Sequence, residues 1–149
     1  MKAAFLVMAY MRNGILQMAG VTSRPDQITE GRPVLGFPGG HVEEGEEPID
    51  AAIREAWEEG FEQVPKSLVN PYPIHYNPSV TSSRSGKTYE VYWFLAMVEP
   101  RMLPDADRQE RGIFPIVSIP EAFMGMGNEE VVEKVRQVFK AVEVFNPVS

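Results

Sequence analysis

The chain has 149 residues, of which 44% are hydrophobic, and it carries a net charge of −7 and no cysteine. This length and composition predict one globular domain spanning residues 1–149. The acidic balance argues against nucleic acid as a partner, and the lack of cysteine excludes thiol nucleophiles, disulfides and zinc–thiolate sites. The first apolar run ends in a hairpin turn instead of the cleavage site of a signal peptide, and no apolar run reaches membrane-spanning length. We therefore expect a cytoplasmic protein with no membrane partner.

The first part of the chain predicts a β-hairpin followed by a glycine-rich turn. Residues 3–11 and 15–21 are mostly apolar and flank Asn13-Gly14, a dipeptide typical of two-residue hairpin turns. A polar loop over residues 22–33 and a short extended segment lead to Gly39-Gly40. Glycine permits positive φ and close approach of the backbone to a ligand or metal.

A helix is predicted from Pro48 to residue 59, because proline suits the first helical turn. Its apolar residues recur at the spacing of a buried stripe, namely Ile49, Ala52, Ile53 and Ala56. Glu55, Glu58 and Glu59 fall on the opposite face, within about 100° of arc. Like charges at this spacing repel by about 0.2–0.5 kcal/mol per pair. Hard divalent cations bind such oxygen clusters; the alternative interpretation is a solvated acidic face.

The second half of the chain predicts three further strands and two helices. The proline-rich residues 64–78 allow only a short or edge strand, around residues 74–76. Residues 89–98 are aromatic and β-branched, which favours a strand at the centre of a sheet. The remaining elements are a strand over residues 113–117, a short helix over residues 121–124 and a last helix that Asn128 can cap. This order predicts an α+β fold.

The charged residues around the first helix resemble the signature of the Nudix hydrolase family, G-x5-E-x7-R-E-U-x-E-E-x-G-U, where U is a bulky apolar residue. The matching residues are Gly40, Glu46, Arg54, Glu55, Glu58 and Glu59. The end departs from the pattern, because Phe61 and Glu62 stand at the Gly and U positions. Gly60-Phe61 supplies such a pair one residue early. A one-residue deletion accounts for this and predicts that Gly60 ends the helix in a left-handed conformation.

The resemblance implies an α/β/α sandwich with a mixed β-sheet. It also implies hydrolysis of the pyrophosphate bond in a nucleoside diphosphate linked to another group, such as a nucleoside triphosphate or a nucleotide sugar. The implied cofactor is Mg²⁺ or Mn²⁺, and the implied partner is a small nucleotide, with a homodimer left open. The alternative is a Nudix-fold module that binds a nucleotide without catalysis. Such modules usually lack one of the carboxylates of the signature.

The resemblance also implies roles for individual residues. The metal ligands it implies are the backbone of Gly40 and the carboxylates of Glu55, Glu58 and Glu59. Glu46 and Arg54 would brace the site. The general base would be either a glutamate of the signature or an acid on a later loop. The signature candidates are Glu58 and Glu59, and the loop candidate is Glu110.

Candidates for contact with the nucleotide base are less marked in the sequence. Tyr72 and Tyr76, at the predicted edge of the sheet, are the stacking candidates, whereas Trp57 and the aromatic residues within 89–94 are expected in the core. His41 matches no family ligand position and His75 lies in the proline-rich stretch, so we expect neither to be catalytic. The sequence marks that separate Nudix subfamilies are absent or out of register, so no particular nucleotide is predicted.

Overall fold

A computed structural model describes residues 1–23, 35–83, 85–103 and 112–145. The strands in these residues are β1 (Lys2–Arg12), β2 (Ile15–Thr22), β3 (Gly39–His41), β4 (His75–Thr81), β5 (Thr88–Ala96) and β6 (Phe114–Ser118). The helices are α1 (Pro48–Glu58) and α2 (Glu129–Phe145), with 3₁₀ turns at Lys66–Leu68 and Pro120–Phe123. Neither α-helix is long and apolar enough to cross a membrane, so far as the described residues go.

The strands form one mixed sheet in the order β4-β5-β1-β2-β6, and β3 pairs with β1. β1 runs parallel to β5, with Ala4 opposite Tyr92, and antiparallel to β2 and β3, with Ala4 opposite Gly40. Positive φ angles at Asn13 and Gly14, 52° and 77°, form the tight turn between β1 and β2. The predicted hairpin and central β5 strand are therefore confirmed.

The two faces of the sheet are covered by different helices. On one face α1 buries Ala52, Ile53 and Ala56 against a core that includes Leu6 of β1. On the other face α2 buries its own apolar side chains, among them Val131, against Val7 of β1 and its neighbours. Successive residues of β1 thus point to opposite cores, as strand geometry requires. The predicted α+β class and α/β/α sandwich are confirmed.

Two predicted details of the later elements differ from the structure. The short helix predicted at residues 121–124 is a 3₁₀ turn at Pro120–Phe123. Asn128 directly precedes α2 as predicted, but within the described part of the chain its side chain bonds to no helix N–H. Most of the predicted polar loop over residues 22–33 lies outside the described residues.

Candidate active site

Helix α1 ends one residue earlier than the family signature requires, in a Schellman arrangement. Gly60 has a φ of 108°, and its N–H donates to the Trp57 carbonyl at 3.1 Å. The Phe61 N–H donates to the Ala56 carbonyl at 3.0 Å, and the Phe61 side chain is buried in the same core as Ala56. The predicted one-residue shift of the Gly-Phe pair is therefore confirmed.

Strand β3 places two glycines directly against α1 and β1. A Cβ on Gly40 would lie 2.7 Å from Cδ of Glu55, and a Cβ on Gly39 would lie 2.3 Å from the Ala4 carbonyl oxygen. Only glycine permits this close an approach. The Gly39 N–H also donates to Oε2 of Glu59 at 3.2 Å. The carboxylates of Glu55 and Glu59 therefore both lie next to β3.

Arg54 connects the elements of the site through five hydrogen bonds. Its Nε and Nη2 donate to the two carboxylate oxygens of Glu46 at 2.9 and 3.1 Å, a bidentate pairing. Nη1 donates to Oε1 of Glu55 at 3.0 Å and to Oε2 of Glu58 at 3.1 Å. Nη2 also donates to the His41 carbonyl at 3.1 Å. One guanidinium thus joins the loop before α1, the end of β3 and two helix carboxylates.

The Arg54 network shifts the ionisation of its members. The hydrogen bond from Arg54 holds the pKa of Glu46 below its ordinary value, against the opposing effect of burial. The bond to Glu46 is in turn the largest cause that raises the pKa of Arg54. Because both side chains are partly buried, salt screens this pair less than an exposed pair.

The carboxylate face of α1 is not a solvated surface. Glu59 is only 5% exposed to solvent and the Glu55 side chain is 15% exposed, whereas the Glu58 side chain is 44% exposed. Burying a carboxylate is costly unless hydrogen bonds or opposite charges compensate. Arg54 and the Gly39 N–H supply such compensation here. The interpretation of this face as solvated is wrong for Glu55 and Glu59.

The three carboxylates suit a hard divalent cation in their chemistry, because they offer only oxygen ligands. They do not converge on one point: among the residues that the structure describes, no three His, Cys, Asp or Glu side chains are arranged to hold a metal ion. Nη1 of Arg54 lies 3.0 Å from Oε1 of Glu55 and 3.1 Å from Oε2 of Glu58. In this arrangement the guanidinium neutralises charge that a cation would otherwise neutralise.

A cavity of about 400 Å³ lies beside Gly40, on the α2 side of the sheet. Aromatic side chains make up much of its described lining, with a few polar groups among them: Phe5, Phe37, Tyr89, Trp93, His41 and Asn128. The rings of Phe5 and Trp93 stack with their centroids 5.7 Å apart. An apolar cavity with a few polar groups is typical of a small-molecule site. Gly40 therefore lies both at the wall of this cavity and beside the Glu55 carboxylate.

The aromatic lining comes from residues that the sequence assigns to the core. Tyr89 and Trp93 are buried, yet they project from the same face of β5 into the cavity wall. Alternation along β5 is the signal that groups them, but periodicity cannot show that a cavity exists above them. The predicted stacking residues Tyr72 and Tyr76 do not line this cavity, and the Tyr76 hydroxyl donates to Oε1 of Glu90 at 2.6 Å.

Among the described hydrogen bonds, the side chains of His41 and His75 make none with Arg54. Glu110, the loop candidate for the general base, lies outside the described residues. The His41 ring meets Tyr89 edge-on, with centroids 5.1 Å apart, at the cavity wall. His75 lies on β4, where its Nδ1 is 2.8 Å from Nζ of Lys134 on α2.

The sequence matches the family model described as NUDIX domain over residues 3–135. The chain therefore belongs to the Nudix hydrolase family. No match was found among curated proteins.

Solved structures with the same fold come from several organisms. An Ap4A hydrolase of C. elegans in a binary complex has a TM-score of 0.62 and 19% identity, over 94% of this chain and 98% of that chain. The NUDIX domain of Shewanella oneidensis NrtR, complexed with ADP ribose, has a TM-score of 0.65 and 12% identity, over 93% and 88%. A MutT protein of Bacillus halodurans has a TM-score of 0.60 and 20% identity, over 90% and 80%. At these identities the likeness establishes the fold.

Proposed function

We propose that this protein hydrolyses the pyrophosphate bond of a nucleoside diphosphate linked to another group, in a reaction that depends on Mg²⁺ or Mn²⁺. The observation that carries the proposal is the position of Gly40, between the Glu55 carboxylate and the aromatic cavity. A nucleoside in the cavity would direct its phosphates past Gly40 toward the helix carboxylates. The structural relatives named for Ap4A and ADP ribose support this class, because both compounds contain pyrophosphate linkages.

The metal ligands in this proposal are Glu55, Glu58, Glu59 and the backbone of Gly40. A divalent cation held by these residues would neutralise phosphate charge and activate water for the attack. Glu58 is the residue best able to turn away from Arg54, because it is the most exposed of the three. The Gly39 N–H holds Glu59, and Glu55 packs against Gly40.

Arg54 and Glu46 act as the brace of the site in this proposal. If Glu58 turns toward a cation, Arg54 loses one of its five hydrogen bonds and keeps four, two of them to Glu46. The bond from Nη2 to the His41 carbonyl keeps the end of β3 beside the helix. In this proposal the Glu58 carboxylate can leave Arg54 while the other hydrogen bonds of Arg54 keep β3 in position.

The attacking water needs a general base, for which Glu58 and Glu59 are candidates on α1 and Glu110 is the candidate on a later loop. The dependence of kcat/KM on pH distinguishes them. If Glu110 is the base, Glu110→Gln removes the acidic limb of the profile. If a helix glutamate is the base, Glu110→Gln leaves the limb in place.

The test of the function is a panel of nucleoside triphosphates, nucleotide sugars and dinucleoside polyphosphates, incubated with Mg²⁺ or Mn²⁺ and scored for released mononucleotide and phosphate. We expect turnover of at least one compound, abolished by chelator. Glu58→Gln and Glu59→Gln should each lower kcat by orders of magnitude, because each removes charge from the metal site. Glu62→Gln, on an exposed residue just beyond the helix, is the matched control.

Full activity in both variants of the helix would refute the assignment of the metal site. Nucleotide binding without turnover of any compound would instead favour the non-catalytic module.

A further inference from the structure

The apolar face of α2 extends beyond the part of the helix that the sheet covers. In the first half of the helix Val131, Val132 and Val135 are fully buried. In the second half Phe139 is only partly buried and Val142 is exposed, although both continue the same helical spacing. The apolar face of a helix normally packs against another element. Within the described part of the chain, the second half of α2 thus has an apolar face that is only partly covered.

A groove of about 650 Å³ lies beside this face, between α2 and the turn that joins β1 to β2. We call it the hairpin groove, and its apolar lining includes Ala9, Met11, Leu16, Met97, Phe139 and Val142. Ala9 and Leu16 are buried, whereas Met11 and Met97 are exposed to solvent. The groove is therefore an open apolar site whose deeper wall belongs to the core of the protein.

The hairpin groove is separate from the aromatic cavity beside Gly40. Both lie on the α2 side of the sheet, where Phe5 of β1 lines the cavity and Ala9 of β1 lines the groove. Val7 lies between these two residues on the same face of β1 and is completely buried. The packed core around Val7 thus divides the two sites, and a ligand in the groove would not occupy the cavity.

The charged side chains that line the hairpin groove are both cationic. Arg136 and Lys140 stand four residues apart on α2, and no acidic side chain among the described residues lines the groove. Nη2 of Arg136 lies 3.0 Å from Oε1 of Glu121, whereas Lys140 has no ion pair within the described part of the chain. The whole chain has a net charge of −7, so two cations at one apolar groove are a local reversal of sign. The groove is therefore complementary to a ligand with an anionic group.

The size of the groove indicates a small ligand. Small-molecule sites typically enclose about 300–1,000 Å³, a range that includes this groove. An α-helix with its side chains occupies roughly 400 Å³ per turn, so the groove would hold fewer than two turns of a partner helix. An unbranched alkyl chain needs less room. The methionines in the lining also suit it, because their flexible side chains adapt to apolar ligands.

We propose that the hairpin groove binds a fatty acid, whose alkyl chain lies on the apolar lining and whose carboxylate pairs with Lys140 and Arg136. This inference goes beyond the proposed function and does not depend on it. A second copy of the chain fits the groove less well. A two-fold contact would bring these two cations close to their own counterparts, which repel them.

The test is calorimetric titration of the full chain with octanoate, decanoate and dodecanoate, each below its micelle concentration. Dodecyltrimethylammonium, with the alkyl chain of dodecanoate length and a cationic head, is the matched control ligand. We expect one dodecanoate per chain, and each methylene that enters the groove should tighten binding by about 4-fold. Dodecyltrimethylammonium should bind at least about 10-fold more weakly than dodecanoate. The net charge of the chain alone would give the opposite order.

Substitutions at the groove test the two parts of the ligand separately. Lys140→Gln should weaken dodecanoate binding by about 10-fold, and Lys140→Glu should abolish the preference for an anionic head. Met97→Gln makes the apolar lining more polar, so it should weaken dodecanoate and dodecyltrimethylammonium by the same factor, about 5-fold. Lys66→Gln and Met102→Gln change exposed residues outside the groove and should leave binding unchanged.

Thermal melting separates binding at the groove from detergent action. A ligand that binds the folded protein raises its melting temperature, whereas a detergent that binds the unfolded chain lowers it. We expect dodecanoate to raise the melting temperature of the wild type and to raise that of Lys140→Gln less. Without ligand, the variants should melt close to the wild type, because Lys140 and Met97 are exposed.

Three results would overturn the inference: no saturable binding of dodecanoate, a lower melting temperature in its presence, or unchanged affinity in both Lys140→Glu and Met97→Gln. Sedimentation tests the other occupant. A dimer that Met97→Gln dissociates and that does not bind dodecanoate would mean that a second copy covers the groove, and the inference would be wrong.

Discussion

Gly40 illustrates how one hydrogen atom in place of a side chain shapes the site. A methyl group there would lie 2.7–2.9 Å from the carboxylate of Glu55, which ends a flexible side chain and would move first. We expect Gly40→Ala to lower kcat by roughly 100-fold, since small misplacements of catalytic groups have effects of that order. The free energy of unfolding should fall by about 1 kcal/mol or less, because a side chain yields rather than the backbone. Steady-state kinetics and thermal melting measure the two effects.

Two other glycines calibrate this substitution. Gly36→Ala adds a methyl group in open space, so it should leave the free energy of unfolding unchanged and serves as the control for stability. Gly39→Ala would drive a methyl group against the backbone of Ala4 and Phe5, so we expect a severe loss of stability. Wild-type activity in Gly40→Ala would show that Glu55 need not occupy its observed position.

The contacts of Arg54 show what sequence can predict about single residues. Its approach to Glu58 follows from helical spacing, and its pairing with Glu46 follows from the resemblance to the family. Its bond to the His41 carbonyl and the burial of Glu59 could not be predicted, because both depend on how closely β3 packs against α1. That distance is set by tertiary contacts of glycine, which leave no periodic pattern in the sequence.

At the scale of elements, the end of α1 provides a direct test of the shifted signature. Gly60 requires a φ of 108°, which an alanine adopts at a cost of about 1 kcal/mol. Gly60→Ala should therefore lower the melting temperature by roughly 2–4 °C for a domain of this size. Gly36→Ala, at a glycine without positive φ, is the control. Equal melting of both variants would mean that the closure tolerates a side chain.

The contact between β4 and α2 is expected to depend on pH. Burial, and then the charge of Lys134, lowers the pKa of His75, whose Nε2 also lies 3.3 Å from Glu130. The unfolded chain, with an ordinary histidine pKa of about 6.5, therefore binds a proton that the folded protein resists. The contribution of neutral His75 to stability is complete above pH 6.5 and declines as the pH falls toward the folded pKa.

We expect His75→Gln to lose less stability than the wild type between pH 7.5 and 5. Urea unfolding at the two pH values measures this. Lys134→Met should reduce the loss in part, because it removes a charge that opposes protonation of His75. Parallel losses in the wild type and His75→Gln would exclude this link as the origin of the pH dependence.

Strand β4 shows where the sequence prediction of elements falls short. Prolines limit the prediction to residues 74–76, yet the strand runs over His75–Thr81 and includes Pro78. A register shift between Asn77 and Val80 accommodates the proline, and among the described strands β4 pairs with β5 alone. The edge position was predictable from the prolines, whereas the bulge depends on pairing with a strand distant in sequence.

At the scale of the whole molecule, a bound cation should stabilise the fold. A ligand that binds only the folded state at about 100 times its Kd adds about 2.7 kcal/mol. Saturating Mg²⁺ should therefore raise the melting temperature of the wild type by roughly 5 °C or more. Glu58→Gln and Glu59→Gln should show smaller shifts, and Glu62→Gln should match the wild type. Equal shifts in all four proteins would place the cation elsewhere.

The overall architecture was largely predictable because hydrophobic periodicity and turn residues mark most elements. The parallel pairing of β1 with β5 was not, since it joins Lys2 to Glu90 across most of the chain. The cavity depends on that pairing, because its walls combine side chains of β1 and β5 with the turn before α2. Such long-range geometry has no local sequence signal.

The central place of β1 also has a consequence for how the protein is made. During synthesis β2 follows β1 at once, but the opposite edge of β1 stays without β5 until residues 88–96 have left the ribosome. In that interval an apolar strand has an open edge, which is where nascent chains aggregate. Helix α1, which carries Arg54, emerges before β5 and can cover one face of β1. The carboxylates of α1 and Arg54 can therefore come together before the sheet is complete. The parallel pairing of β5 with β1 joins distant parts of the chain, and such contacts form slowly.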